Sequence, residues 1–203
     1  TKPRRPMVLT FVLDTSGSMG GEPIVLQREA VLAIAAQLKP GDIVSMVTWN
    51  TAQAVVLDSH VASGPSDAKV VSLAKSLSAG GGTDLNGGLT KGYSLAQKSF
   101  DPSKLNRVVL ISDGIANVGV TQEKIIGDGA ATNDGDGIYL VGVGVGAGVN
   151  DTLMNTVTDA GRGAYVYLDT TSEAKNMFGK RFDETMDIAA RSVGVELRLP
   201  WYM

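Results

Sequence analysis

Asp14, Ser16 and Ser18 stand at alternate positions directly after an apolar run, within VLTFVLDTSGSMG at residues 8–20. Alternate side chains of an extended segment project to one side, so this stretch can aim three oxygen donors at a point just beyond a strand. Oxygen-only donors suit a hard divalent cation such as magnesium, manganese or calcium, with Mg2+ the first expectation. The absence of cysteine and the single His60 argue against zinc, copper or an iron-sulfur cluster. Two more strand ends carry matching groups. Thr83 lies in GGGTDL, on a loop leading into a helix, and Asp113 lies in LISDG, right after a later strand. With the first strand central and the Asp113 strand beside it, three loops would gather Asp14, Ser16, Ser18, Thr83 and Asp113 around one point.

Each of these residues also has an ordinary structural reading. Asp14 and Asp113 could cap helices, and Thr83 and the serines could satisfy turn backbones; their coordinated placement on three loops favours the metal reading. Asp84, directly before Leu85, reads as a helix N-cap, with plugging of the open site as its alternative. Met19, Asp84 and Asn117 form the expected rim, near Trp49 and Asn50. Met19 and Trp49 are candidate partner contacts, although packing is the preferred role for Trp49.

The elements that must position these groups alternate between strand and helix. Residues 7–13 read as a buried strand, 23–38 as a helix with apolar positions at helical intervals, and 42–49 as a second strand. Residues 52–57 follow after only Asn50 and Thr51, which is hairpin spacing, so the third strand is antiparallel and lies at an edge. Further helices are expected over 67–77, 85–98, 123–132, 151–159 and 172–191, and strands over 106–111, 137–144 and 164–168. Apolar strands alternating with helices imply an α/β fold with a doubly wound, mostly parallel central sheet and one antiparallel edge strand. In such sheets ligands bind beyond the carboxyl ends of the strands, where strand order reverses.

A chain of 203 residues suits one large domain, expected over 1–192, with 193–203 as a terminal strand or the start of a following domain. The net charge of -3, with acids and bases interspersed, offers no basic face for nucleic acid or an anionic membrane. No apolar stretch is long enough for membrane insertion, and the opening TKPRRP lacks the layout of a secretion signal. Without cysteines there is no disulfide framework, which leaves the compartment open.

The five donors and their order resemble the von Willebrand factor type A (VWA) domain. Its metal ion-dependent adhesion site (MIDAS) has the form D-x-S-x-S, then a distant Thr, then Asp. The likeness spans about residues 6–192, including the antiparallel edge hairpin, and AGRGAYVYLDTTSEA and AARSVGVEL are similar to a bacterial subgroup embedded in larger, often exported proteins. The resemblance implies a Rossmann-like VWA fold and hydroxyl ligation by Ser16, Ser18 and Thr83, with Asp14 and Asp113 often acting through coordinated water. It implies a non-enzymatic, metal-dependent protein-binding or adhesion module, a protein partner presenting Asp or Glu, and an exported or cell-envelope location. It also implies a final helix, 172–191, able to shift when the site changes ligands. Neutral hydroxyls leave a dication's charge uncompensated, so an open coordination position should attract an outside carboxylate.

Two other classes compete. One is a metal-independent structural interaction domain. The other is a phosphotransferase of the haloacid dehalogenase type, in which an aspartate ending the first strand attacks phosphate. That chemistry usually needs a second acid two residues onward, and Ser16 cannot act as one near neutral pH. Serine hydrolysis lacks its G-x-S-x-G, and His60 is expected on the loop after the edge strand. The GVGVG at 142–146 reads as a close-packed strand end, and the DGDG at 134–137 as a turn.

Overall fold

All eight residues of β1, Met7–Asp14, are buried. A strand with no solvent face belongs inside a sheet covered on both sides. The computed structural model describes residues 4–114 and 137–186. It places β1 within a six-stranded sheet of order β3-β2-β1-β4-β5-β6. Strands β2 (Ile43–Trp49), β4 (Leu105–Ser112), β5 (Tyr139–Val145) and β6 (Tyr165–Leu168) extend it by parallel pairing. Strand β3, Gln53–Val61, runs antiparallel to β2 at the edge, as the hairpin spacing predicts, although Asn50, Thr51 and Ala52 all lie in the turn where two residues were expected.

Alternation along the strands divides the core in two. Phe11, Leu13, Val109, Ile111 and Val143 point to one face, which carries α1 (Glu22–Ala35) and α2 (Ala68–Ser76). Val12, Val108, Leu110 and Leu140 point to the other, which carries α3 (Leu85–Lys98) and α4 (Asp151–Ala160). Helix α3 sits close because two of its contacts with the sheet are made through glycine. A Cβ on Gly88 would overlap the Trp49 ring, and one on Gly92 would overlap Val12.

Two expectations are corrected. His60 lies inside β3, paired with Val44, and not on the following loop. Register shifts around Met46, with Ser59 at φ 48°, absorb an irregularity that lets the strand continue to Val61. The expected single helix over 172–191 is broken: α5 (Thr171–Lys175) passes into a π-helical turn, Asn176–Lys180, and α6 (Phe182–Met186) follows Arg181. Ala174, Phe178, Phe182 and Met186 are all buried at intervals of four. In an α-helix that spacing drifts by about 40° per step, and one wider turn brings the mean period nearer four, keeping all four on the core. The expected helix 123–132, Asn117, Asp134 to Asp136 of the DGDG turn and the terminal segment 193–203 lie outside the described residues.

Candidate metal centre

Strand order reverses between β1 and β4, whose carboxyl ends carry Asp14 and Ser112 followed by Asp113. Parallel register pairs Leu13 with Ile111, which brings the end of β1 alongside Ser112. Asp14 is fully buried. One carboxylate oxygen, Oδ1, accepts from the Ser16 amide at 2.8 Å, and Oδ2 accepts from the Ser112 hydroxyl at 2.7 Å. Burial pushes the Asp14 carboxyl above its usual range. Hydrogen bonds from Ser112 and Ser16 draw it partly back, and the negative charge of Asp113 adds to the upward push. Asp113 is only 3% exposed, so two carboxylates near enough to repel are held out of water at adjacent strand ends.

Beyond Asp14 the chain turns through a short 3-10 segment, Gly17–Met19. Ser16 is buried and Ser18 exposed, with their hydroxyl oxygens 3.1 Å apart. The Thr83 loop is stitched to this turn by backbone: Gly80 N–H donates to Thr15 C=O at 2.8 Å, and Gly17 N–H donates to Gly81 C=O at 3.0 Å. The β2–β3 hairpin grips the same loop, since Thr51 Oγ1 accepts from Gly82 N–H and Asn50 C=O from Asp84 N–H. Gly81 has φ 88°, and a Cβ there would come within 3.2 Å of Thr51 Oγ1, so this crossing favours glycine. Thr83 itself is exposed.

The expected rim resolves unevenly. Met19 is a correction: its side chain is fully buried in the core beneath the turn, so it anchors the loop from below and offers no partner contact. Trp49 is also fully buried, which matches its packing role. Asp84 caps α3, its Oδ1 accepting from Gly87 N–H at 3.0 Å and its Oδ2 from Gln53 Nε2 at 2.6 Å.

Three supporting residues escaped sequence reasoning. Ser112 was visible as the residue before Asp113, but its importance depends on strand register. Gln27 was visible as a polar residue on the apolar stripe of α1. It is fully buried and donates from Nε2 to the Asp14 carbonyl at 2.8 Å. Thr51 gave no signal beyond its place in the hairpin.

Among the described residues no three His, Cys, Asp or Glu side chains cluster as a ready metal cage. A cation here would be held by two carboxylates together with hydroxyls. That all-oxygen donor set fits a hard divalent ion, and the cost of burying the Asp14 charge is what such an ion would offset.

The family model for the von Willebrand factor type A domain matches residues 9–180. Escherichia coli (strain K12) YfbK is 31% identical over 191 residues, covering 93% of this chain and 33% of YfbK. The chain spans less than half the length of these curated relatives that it matches. Among solved structures, a von Willebrand factor type A protein from Catenulispora acidiphila superposes with a TM-score of 0.73 at 17% identity, covering 90% of this chain and 43% of that one. Proximal thread matrix protein 1 of the mussel byssus, with a zinc-occupied MIDAS motif, gives 0.65 at 16% identity, covering 86% of this chain and 46% of that one. The matched span, the YfbK likeness and the sheet order agree: this chain belongs to the von Willebrand factor type A domain family.

Proposed function

We propose that this domain is a non-catalytic, cation-dependent protein-binding module that takes an acidic side chain from its partner. Asp14, Ser16, Ser18, Thr83 and Asp113 would hold the ion, with Mg2+ the first candidate and Mn2+ or Ca2+ the alternatives. The carrying observation is the pair of buried carboxylates at the switch point of the sheet, beside two adjoining serine hydroxyls. When bound, a hard dication supplies an electrophilic position open to an external Asp or Glu. The chain's own residues do the rest. Ser16 N–H and Ser112 Oγ–H aim the Asp14 carboxylate, backbone bonds hold the Thr83 loop to the Thr15–Gly17 turn, and burial keeps water from screening the pair.

The metal-independent reading has one observation in its favour. Both Asp14 oxygens have neutral donors, and the two serine hydroxyls lie within hydrogen-bond distance of each other, contacts that a purely structural loop would also make. Calorimetry separates the readings. Titration with Mg2+, Mn2+, Ca2+ and Zn2+, the last because the mussel protein's site holds zinc, should show saturable uptake by the wild type. Asp14→Ala and Asp113→Ala should abolish it while circular dichroism stays unchanged. No uptake of any of the four ions would leave the metal-independent interaction domain standing. Asp14-dependent phosphate release from a phosphorylated substrate would instead point to the enzyme class. An exported or cell-envelope setting fits the reading, and no helix among the described residues is long and apolar enough to cross a membrane.

A further inference from the structure

We infer that Ser112 is a positioning residue that joins the two carboxylate-bearing loops through one hydroxyl group. This inference rests on the cation-dependent reading above and assigns a role to a residue outside the five donors. Ser112 ends β4 and is 2% exposed. Its Oγ–H donates to Asp14 Oδ2 at 2.7 Å, and its oxygen accepts from the Gly114 amide at 2.9 Å. A hydroxyl has one hydrogen to donate and two lone pairs, so both contacts can be made at once. The same atom therefore fixes the rotation of the Asp14 carboxylate on β1 and the path of the chain immediately after Asp113 on β4.

The far side of that path is closed as well. Gly114 adopts φ 71°, a conformation that favours glycine, and a Cβ there would lie 2.9 Å from the Asn150 amide nitrogen. The Asn150 amide donates to the Asp113 carbonyl at 3.3 Å, and the Asn150 side chain caps α4 by accepting from Leu153 N–H at 3.1 Å. Asp113 thus sits between a hydroxyl that refers it to Asp14 and a helix cap that refers it to the body of the domain. Removing the hydroxyl leaves both donor side chains in the sequence and releases their mutual alignment. Groups that orient metal ligands without touching the ion typically change affinity by about 10- to 100-fold when removed.

The test uses two variants. Ser112→Ala removes the hydroxyl, and Ser112→Cys keeps nearly the same volume while replacing a strong donor by a weak one. Manganese titration by calorimetry is expected to show weakening of about tenfold or more in each folded variant. Amide exchange at Gly114, read by NMR in chelator, is expected to be slow in the wild type and faster in both variants. Wild-type affinity in either folded variant, or fast Gly114 exchange in the wild-type protein, overturns the inference. A wild type that takes up no ion brings down the cation-dependent reading instead, and Gly114 exchange then still decides whether Ser112 ties the loops.

Discussion

Asp14 and Asp42 are both fully buried aspartates, yet they sit at opposite ends of two neighbouring parallel strands and are completed in opposite ways. Asp42, just before β2, has its own cation. Arg4 Nη2 lies 2.7 Å from Oδ2, and the Met7 and Lys39 amides each donate at 2.8 Å. The same guanidinium donates to the Gln37 carbonyl and lies over the Phe182 ring, tying the start of the described chain to α6. Asp14, at the end of β1, has two neutral donors and a second carboxylate nearby, and among the described residues no basic side chain pairs with it. A buried charge supplied with a protein cation is finished when the chain folds. One supplied only with neutral dipoles keeps the capacity to attract an ion from solution.

The sharpest way to break this contrast is at Arg4. Arg4→Ala strands the Asp42 carboxylate without its partner, and urea unfolding is expected to show a loss of about 3–5 kcal/mol. A loss below about 1 kcal/mol would mean that the clasp is ornamental. Second comes the paired neutralisation of the two aspartates, followed by thermal melts in chelator and in magnesium. In chelator, Asp42→Asn should lose about 1–3 kcal/mol, while Asp14→Asn should be at least as stable as the wild type because the cost of burying its charge disappears. Magnesium at 100 times its dissociation constant should stabilise the wild type by about 2.7 kcal/mol and leave Asp14→Asn unmoved. Equal behaviour of the two variants would erase the distinction.

Asp67 supplies the smallest and most finely graded test. Burial alone would raise its carboxyl, but donation from the Ser63 amide and hydroxyl, His60 and the Val70 amide outweighs burial and holds it below the usual range. A depressed acid stabilises the fold fully above its unfolded value near 3.8 and loses that contribution as the pH falls below it. Asp67→Ala, which removes the cap of α2, should cost about 1 kcal/mol at neutral pH. That difference should shrink in denaturation curves taken progressively below pH 4.

Much of this architecture was legible in residue order, for reasons the structure makes plain. Apolar runs and their breakers marked the strands, the short gap after Trp49 marked the hairpin, and Asp84 marked the start of α3 at Leu85. The candidate donors Asp14 and Asp113 were legible because both follow buried strands, and register then brought those strands side by side. Ser112 and Gln27 were harder to assign because their partners lie 98 and 13 residues away in sequence, and only the packed sheet joins them. Met19 misled because it adjoins the serines, while the 3-10 turn folds it inward. The break in the last helical segment had a cue in Gly179, a weak helix former, but a mean period near four emerges only from which side chains reach the core.

The glycine contacts of α3 have a mechanical corollary. Where Gly88 and Gly92 meet Trp49 and Val12, the helix backbone comes directly against the sheet's side chains, with Leu85, Leu89 and Tyr93 packed around those two contacts. A mount of that kind transmits displacement instead of absorbing it. One extra methylene at position 12 would press on the helix at Gly92 and displace it, together with the Thr83 loop that leads into it, although none of the five candidate donors had been altered.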